Sequence, residues 1–241
     1  MTAQPGRDSL LSAADNRRMF DAIARRYDRM NRLLSLGLDR RWRRRAVAAL
    51  APRAGGRYLD VGCGTGDVVM EVLRQCPRAT VVGVDPAEAM LGVAVDRLRR
   101  AGLAASVSLR TGDATDLAFA DASFDGVVTA FCIRNVTHRA KALGEMRRVL
   151  SPGGRAVILE LTVPAGGVLR AAHRLYTGRV VPLAGRLVAR NADAYRYLVE
   201  SIREFPHPRE LLAAMDEAGF AETRREGLLG GTVTVFVGRA D

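Results

Sequence analysis

The sequence has few of the residues that build disulfide frameworks or metal sites. Its three cysteines, Cys63, Cys76 and Cys132, are odd in number, far apart and outside any Cys-x-x-Cys pair. Neither a disulfide framework nor a zinc site is therefore predicted, and the thiols are expected to be reduced. The three histidines are equally isolated, which is typical of surface or loop residues rather than of ligands.

Long apolar runs are also missing. No run reaches the roughly 18 apolar residues of a membrane-spanning helix, and residues 1–10 lack the apolar centre of a signal peptide. We therefore expect a soluble, cytoplasmic protein. The 241 residues, 48% of them hydrophobic, are enough for one α/β domain with some added helices.

Lysine is nearly absent, because Lys141 is the only one, and yet the formal net charge is +11. Residues 1–45 hold twelve arginines against five acids, and residues 164–204 hold seven against three, so the rest of the chain is neutral. A coding bias toward arginine explains the missing lysines but not this uneven placement. The excess predicts an anionic partner at one face of the molecule.

A glycine loop follows the first strand-like segment. Residues 57–67 read Arg-Tyr-Leu-Asp-Val-Gly-Cys-Gly-Thr-Gly-Asp, and helical spacing comes next. Free N–H groups at the start of that helix can bind an anion, and glycines allow a ligand to approach the backbone. The loop residues and the acid before them form the first part of a predicted binding site: Asp60, Gly62, Gly64, Thr65 and Gly66. The Gly-x-Gly-x-Gly spacing departs from the dinucleotide fingerprint, and the absence of a following Gly-Lys-Ser/Thr argues against phosphoryl transfer.

Further acidic residues follow the later strands. Asp85 ends the strand Thr80–Val84, about 20 residues beyond the loop, where an acid can bind ribose hydroxyls. Asp113, after another strand, can accept from an adenine amino group, while Ala114 offers a backbone N–H to the ring. Each acid alone is also a common turn or cap residue. Together they predict a nucleoside site without a polyphosphate grip, which suits S-adenosylmethionine.

The alternation of strands and helices predicts an α/β fold: a Rossmann-like, doubly wound, mostly parallel seven-stranded sheet with an antiparallel last strand. Residues 1–14 are predicted to be a flexible tail and residues 15–241 a single domain. Within it, residues 15–51 form an N-terminal helical cap and residues 164–204 an inserted helical lid. Residues 151–154, Ser-Pro-Gly-Gly, are predicted to form a turn before a buried strand.

Three longer motifs carry a family resemblance. They are Met19-Phe20-Asp21 through Tyr27-Asp28-Arg29-Met30-Asn31, then Ile133-Arg134-Asn135-Val136-Thr137, and finally Tyr195-Arg196-Tyr197-Leu198-Val199-Glu200-Ser201-Ile202. With them the chain resembles the ubiquinone/menaquinone biosynthesis C-methyltransferases from Met19 to Gly231. The resemblance implies a class I methyltransferase domain that uses S-adenosylmethionine. The glycine loop is common to the whole superfamily, whereas the second and third motifs are specific to this family.

The resemblance also implies cofactor positions and shows departures from the family pattern. The family's cofactor contacts fall on Thr65, Asp85, Asp113 and Ala114, and a further one, usually serine, falls on Ala130. Cys132 stands where the family normally has glycine, and residues 230–236 read Gly-Gly-Thr-Val-Thr-Val-Phe instead of the usual Gly-Gly-Ile-Val-Ala-Leu-His. These departures concern the substrate pocket rather than methyl transfer itself.

The implied reaction is methyl transfer to a ring carbon of a prenylated quinol, with demethylmenaquinol preferred over the benzoquinol of ubiquinone synthesis. Arg134 and Asn135 are predicted to bind the quinol oxygen, and Tyr27 is the third predicted catalytic residue. Without the resemblance, Arg134 and Asn135 are more simply explained as a strand-end turn with an ordinary salt bridge.

The prenyl tail places the substrate in a membrane, so the two basic segments are predicted to touch an anionic surface at its inner face. A homodimer is allowed for, whereas a nucleic-acid partner is not predicted. A nucleic-acid methyltransferase remains an alternative because the pI is about 10.8, although no Asn/Asp-Pro-Pro-Tyr/Phe element follows the fourth strand. A nucleotide-binding protein without catalytic activity is the other alternative.

Overall fold

A computed structural model describes residues 11–181 and 192–241. Seven strands form one sheet in the order β3-β2-β1-β4-β5-β7-β6. Their bounds are β1 Arg57–Val61, β2 Thr80–Asp85, β3 Val107–Thr111, β4 Phe124–Ala130, β5 Leu150–Leu161, β6 Ala221–Leu228 and β7 Val233–Arg239.

Strands β1 to β5 run parallel, and β7 is antiparallel to both of its neighbours, β5 and β6. The predicted Rossmann-like sheet with an antiparallel last strand is therefore confirmed. The chain winds outward in both directions from β1 and β4, which pair from Tyr58 with Gly126 to Asp60 with Val128. A crevice for a ligand opens beyond the carboxyl ends of strands at such a switch point.

Eight α-helices are described: α1 Ala13–Leu34, α2 Asp39–Leu50, α3 Asp67–Gln75, α4 Glu88–Arg100, α5 Arg139–Arg148, α6 Gly167–Leu175, α7 Ala192–Glu204 and α8 Pro208–Glu217. Helix α1 begins at Ala13, where the Ser12 hydroxyl accepts from the Asp15 N–H at 3.1 Å. It therefore starts inside the predicted tail of residues 1–14, of which residues 1–10 lie outside the described ranges. Helices α1 and α2 occupy the predicted cap.

The predicted lid contains α6, a π-helical turn at Tyr176–Val180 and α7. Residues 182–191 of that prediction lie outside the described ranges. The end of the π-helical turn and helix α7 pack on α1, where Met30 contacts a cluster that includes Val181 and Val199. Helix α6 differs, since none of its residues is buried. Among the described residues, no helix combines the length and apolar character needed to cross a bilayer.

The predicted turn at residues 151–154 is instead an irregular stretch inside β5. Pairing with β4 passes from Phe124–Leu150 directly to Gly126–Arg155, so the intervening residues of β5 loop out of the ladder. Gly153 has φ +76° there, and its N–H donates to the Ala240 carbonyl. The chain therefore bends where the sequence predicts a turn. The prediction of a separate turn was wrong, however, because hydrogen bonds to neighbouring chain segments make residues 151–154 part of β5.

The core lies on both faces of the sheet. Alternate side chains of a strand point to opposite faces, so Val235 packs in the cluster that holds α2 and α3 while Phe236 packs in the cluster that holds α5 and α8. Phe236 is fully buried. Because β7 lies between β5 and β6, its side chains join the antiparallel β6–β7 pair to the parallel part of the sheet.

Replacing Phe236 by alanine should lower the free energy of unfolding by about 3–5 kcal/mol, because a fully buried aromatic side chain leaves a cavity. Urea denaturation followed by circular dichroism measures the loss. Val168→Ala provides the control, since Val168 is 86% exposed, and it should change stability by less than about 0.5 kcal/mol. Equal losses in both variants would contradict this description of the core.

Candidate active site

A cavity of about 380 Å³ lies where the carboxyl ends of β1, β2 and β4 face helix α1. Eight predicted site residues line it: Tyr27, Gly62, Gly64, Asp85, Asp113, Ala114, Ala130 and Asn135. Four do not: Asp60, Thr65, Gly66 and Arg134. The cavity therefore brings together predicted cofactor residues and predicted catalytic residues in one space.

The glycine loop presents backbone to this cavity. The N–H groups of Gly62 and Cys63 both donate to the Val84 carbonyl, at 2.8 and 3.0 Å, which fixes the loop to the end of β2. At Gly64, with φ +51°, a Cβ would meet nothing within 4 Å. The loop is thus open toward the cavity at Gly64, as a ligand lying against the backbone requires.

Asp85 is held by the backbone on both of its carboxylate oxygens. Oδ2 accepts from the Gly64 N–H at 2.8 Å, and Oδ1 accepts from the Ala87 N–H at 2.9 Å. Burial raises the pKa of Asp85, while these two N–H groups oppose that increase. The carboxylate therefore has a fixed orientation at the cavity wall, which is what binding a pair of hydroxyls needs.

Asp60 lies behind the loop, in β1, and is only 1% exposed. Neither of its carboxylate oxygens has a hydrogen-bond partner of good geometry. Burial, with help from the nearby Asp85 charge, raises the pKa of Asp60 to about 8, although the Arg43 guanidinium lies close enough to oppose this. A buried pair of unsatisfied acceptors is unusual and is the signature of a missing donor or cation.

Gly62 packs directly against Cys132, the residue that departs from the family pattern. A Cβ at Gly62, where φ is +70°, would lie 2.2 Å from the Cys132 Sγ. The thiol therefore occupies the space next to the glycine loop, and the two positions depend on each other.

Helix α1 covers the cavity and is fixed to the loop by polar contacts. The Thr65 hydroxyl donates to Asp28 Oδ1 at 2.6 Å, and Arg97 pairs with Asp28 Oδ2 at 2.9 Å. Arg97 also donates to the Thr65 carbonyl at 2.7 Å and pairs with Asp67. The side chain of Thr65, predicted to contact a cofactor, is thus engaged with the cap instead of pointing into the cavity.

Arg134 does not line the cavity but forms a buried ion pair with Glu160. The Nη1 atom of Arg134 lies 2.8 Å from Glu160 Oε1, and the backbone N–H of Arg134 donates to Glu160 Oε2 at 3.2 Å. The guanidinium also donates to the carbonyl of Phe131, whose φ of +58° is rare for a residue with a side chain. The ion pair was the alternative explanation of this motif, and here it fixes the backbone turn at the end of β4.

Asn16, from the first turn of α1, is a site residue that sequence analysis missed. Its Nδ2 donates to the Asn135 carbonyl at 3.1 Å and lies 3.4 Å from the Tyr197 hydroxyl. The Oδ1 atoms of Asn16 and Asn135 are both buried without a partner, and both residues line the cavity. A signal was present, because Asn16 lies three residues before Met19, in phase with the apolar stripe of α1.

Tyr27 also lines the cavity, three turns beyond Asn16 along α1. Its ring meets Phe20 edge-to-face, with centroids 5.8 Å apart. Burial raises the pKa of Tyr27, whereas the charge of Arg134 and a hydrogen bond with Asn31 lower it. Arg134 therefore acts electrostatically on the cavity wall although it does not line the cavity itself. Other lining residues that the sequence did not identify are Ser12, Arg17, Phe20 and His138.

Comparison with known proteins gives consistent matches. The family model of the ubiE/COQ5 methyltransferase family matches residues 11–240. A ubiquinone/menaquinone biosynthesis C-methyltransferase UbiE from Geotalea uraniireducens is 44% identical over 91% of this chain and 94% of its own length. A demethylmenaquinone methyltransferase from Thermus thermophilus is 46% identical over 91% of this chain and 99% of its own length.

Solved structures support the fold alone, because their sequence identities are low. A methyltransferase from Thermotoga maritima described as S-adenosylmethionine-dependent is 23% identical, with a TM-score of 0.65 over 93% of this chain and 99% of its own. Phosphoethanolamine N-methyltransferase 2 from Haemonchus contortus, solved with S-adenosylmethionine, is 17% identical, with a TM-score of 0.61 over 81% of this chain and 52% of its own.

Replacing Gly62 by alanine should lower stability by roughly 2–5 kcal/mol, because the new Cβ collides with the Cys132 thiol and the positive φ penalises a side chain. The double variant Gly62→Ala, Cys132→Gly should recover the steric part, about 1–3 kcal/mol. A double-mutant cycle from denaturation curves measures this coupling. Additive losses would show that the two positions do not contact each other.

The pH dependence of stability should change in Asp60→Asn. Because the folded-state pKa of Asp60, about 8, exceeds the ordinary value of 3.8, the folded state binds the proton more tightly. The contribution of Asp60 to the free energy of unfolding is therefore fully present below about pH 4. It declines by up to about 1.4 kcal/mol per pH unit until about pH 8.

The asparagine does not titrate, so without cofactor the variant should gain stability relative to wild type as the pH rises from 5 to 8. Denaturation at several pH values tests this, with Asp96→Asn on the exposed side of α4 as the control. Parallel pH curves for wild type and Asp60→Asn would exclude the raised pKa.

Proposed function

Because this chain belongs to the ubiE/COQ5 methyltransferase family, we propose that it transfers a methyl group from S-adenosylmethionine to a ring carbon of a prenylated quinol, with demethylmenaquinol as the preferred substrate. The names of relatives from Thermus thermophilus and Deinococcus radiodurans support the menaquinone branch. Relatives named for both ubiquinone and menaquinone biosynthesis favour the benzoquinol as the second candidate.

The residues around the glycine loop fit the proposed cofactor. Asp60 lies behind the loop, and the positive charge of the cofactor's methionine part would favour the ionised form of its carboxyl group across the loop. Asp85 is oriented for the ribose hydroxyls, Gly64 leaves room for the ligand, and Asp113 with Ala114 lines the part of the cavity assigned to adenine. When bound, S-adenosylmethionine supplies a methyl group that its sulfonium has already activated.

The single observation that carries the substrate proposal is the pair of asparagines in the cavity lining, Asn16 and Asn135, whose Oδ1 atoms have no hydrogen-bond partner. Hydroxyl groups of a reduced ring can donate to them. A quinone has only carbonyl acceptors and would leave both asparagine oxygens buried without partners, which costs free energy. The reduced ring is also the electron-rich form, whose carbon can attack the methyl group.

Arg134 has a supporting electrostatic role in this proposal. Its positive charge, held by Glu160, favours a phenolate as the ring hydroxyl loses its proton. Arg134 is not the base, since a guanidinium keeps its proton up to a pKa above about 12, and we assign the proton transfer to a water. Tyr27 completes the wall of the ring pocket, where its own pKa responds to Arg134.

The same proposal includes transient contact with an anionic membrane surface, because a prenyl tail keeps the substrate in a bilayer and the two basic segments carry the net positive charge of the chain. A homodimer stays a prediction. A nucleic-acid methyltransferase is no longer proposed, because the family match and the named relatives belong to quinone biosynthesis.

The decisive experiment incubates the purified enzyme and S-adenosylmethionine with demethylmenaquinol and with a demethylated benzoquinol, each chemically reduced or left oxidised. Mass spectrometry should detect a methylated ring in the reduced samples only, with the naphthoquinol faster. Methylation of the oxidised form would contradict the acceptor argument. Binding of S-adenosylmethionine without turnover on any quinol would favour the non-catalytic alternative.

Asn16→Leu should lower kcat/KM for the quinol by roughly 10- to 100-fold, because a buried hydrogen bond to the substrate, worth about 1–3 kcal/mol, is lost. The affinity for S-adenosylmethionine, measured by calorimetry, should stay unchanged. Arg18→Gln, two residues further along α1 and exposed, is the control and should have wild-type kinetics. A wild-type kcat/KM in Asn16→Leu would remove Asn16 from the substrate site.

A further inference from the structure

The exposed large hydrophobic residues are unevenly distributed. Among the described residues there are eight: Leu33, Leu36, Val95, Val168, Leu169, Leu175, Val180 and Leu229. All except Val95 belong to three segments, which are the end of α1 with the turn after it, helix α6 with its π-helical turn, and the short turn Leu229–Gly231. Single exposed apolar side chains are ordinary, whereas a concentration of them indicates an interaction site.

These three segments adjoin one another in space. The Tyr176 hydroxyl at the end of α6 donates to the Leu34 carbonyl of α1. At the other end of α6, Leu169 lies so close to Gly230 that a Cβ added there would be 2.1 Å from Leu169 Cδ2. The segments therefore form one surface, called here the apolar patch, which consists of Leu33, Leu36, Val168, Leu169, Leu175, Val180 and Leu229.

Helix α6 leaves most of its apolar surface exposed. It has no buried residue, and Val168 is 86% exposed. A surface helix of a globular protein normally turns such a stripe toward the core, because a short helix gains most of its stability from packing. The exposed stripe on α6 therefore indicates a partner other than the part of the chain that the structure describes.

The chain segments that form the apolar patch carry charge of one sign. Residues 29–38, 162–181 and 227–240 contain no aspartate or glutamate. Arg170, Arg174 and Arg179 lie on α6 and its π-helical turn, and all three are exposed. An isologous contact between two copies would bring these arginines against each other, which is repulsive. Exposed apolar side chains beside arginines, with no acid among them, match an anionic lipid interface.

The position of the patch relates it to the cavity. Helix α6 follows the carboxyl end of β5, and the turn Leu229–Gly231 precedes β7, whose antiparallel direction makes it start at that same edge of the sheet. The cavity opens at this edge, under α1. A bilayer that meets the patch therefore also faces the side of the molecule where the cavity lies.

We propose that the apolar patch docks on an anionic lipid bilayer, with α6 lying in the interface, its apolar side chains entering the acyl region and its arginines binding headgroup phosphates. This inference deepens the proposed function, on which it rests for the prenylated substrate that resides in the bilayer. It goes further than net charge, because it assigns the contact to one helix and one face.

Vesicle flotation tests the proposal with the full chain and two kinds of liposome, phosphatidylcholine alone or mixed with phosphatidylglycerol. Wild type should float with the anionic vesicles and dissociate as salt is raised. The double variant Val168→Ser, Leu175→Ser should bind anionic vesicles about tenfold more weakly or worse. Val95→Ser, which changes a large exposed apolar residue on α4 outside the patch, should bind like wild type. Undiminished binding by the double variant would overturn the proposal.

A matched pair of double variants tests the contribution of the arginines to vesicle binding. Arg170→Gln, Arg174→Gln should weaken binding to the anionic vesicles by roughly tenfold or more, whereas Arg99→Gln, Arg100→Gln on α4 should have little effect. Analytical ultracentrifugation tests the alternative that a second copy of the chain binds the patch. A dimer that dissociates in the Val168→Ser, Leu175→Ser variant while vesicle binding is unchanged would assign the patch to a second copy and overturn the proposal.

Enzyme assays separate this inference from the function on which it rests. With a short-tailed quinol that dissolves in water, the patch variants should retain the wild-type rate, and with a long-tailed quinol in vesicles they should lose it. Equal rates of wild type and patch variants on the vesicle substrate would overturn the docking role. No methylation of either quinol by wild type, with vesicle binding as expected, would refute the proposed function alone.

Discussion

Arg97 makes the contacts that hold helix α1 over the cavity. It pairs with Asp28 of α1 and with Asp67 at the start of α3, and it donates to the Thr65 carbonyl in the loop between them. Burial and the Asp67 charge raise the pKa of Asp28, so these two carboxylates repel each other without the guanidinium. One arginine of α4 thereby joins the cap, the glycine loop and the start of α3, and it helps to hold α1 above the strand ends.

The two sides of the cavity have opposite electrostatic character. Asp85 lines the cavity beside the glycine loop, where the proposed cofactor brings a cationic sulfonium and an ammonium. Arg134 stands behind Asn135, where the proposed quinol develops a negative charge. This arrangement favours each reactant on its own side, and it requires no titratable group to change roles during methyl transfer.

The sequence predicted the sheet well, because strand and helix periodicity and the strand-end acids are local signals. Eight of the twelve predicted site residues line the cavity for the same reason, since Gly64, Asp85 and Asp113 lie at the ends of strands that meet at one edge. It could not reveal that Glu160 neutralises Arg134 or that Asp28 engages Thr65, because those partners are distant in sequence. Asn16 was missed because a lone polar residue near a helix start is usually a solvent-exposed or capping residue.

The close packing of Cys132 on Gly62 has a consequence for chemical reactivity. Quinones are electrophiles that alkylate thiolates, and Cys132 lines the cavity in which a quinol is proposed to react. Burial, together with the negative charges of Asp85 and Glu160, raises the pKa of Cys132 to about 12. The sulfur therefore remains a protonated thiol at neutral pH and is a poor nucleophile. A cysteine in this place is compatible with a redox-active ligand because its surroundings suppress the thiolate form.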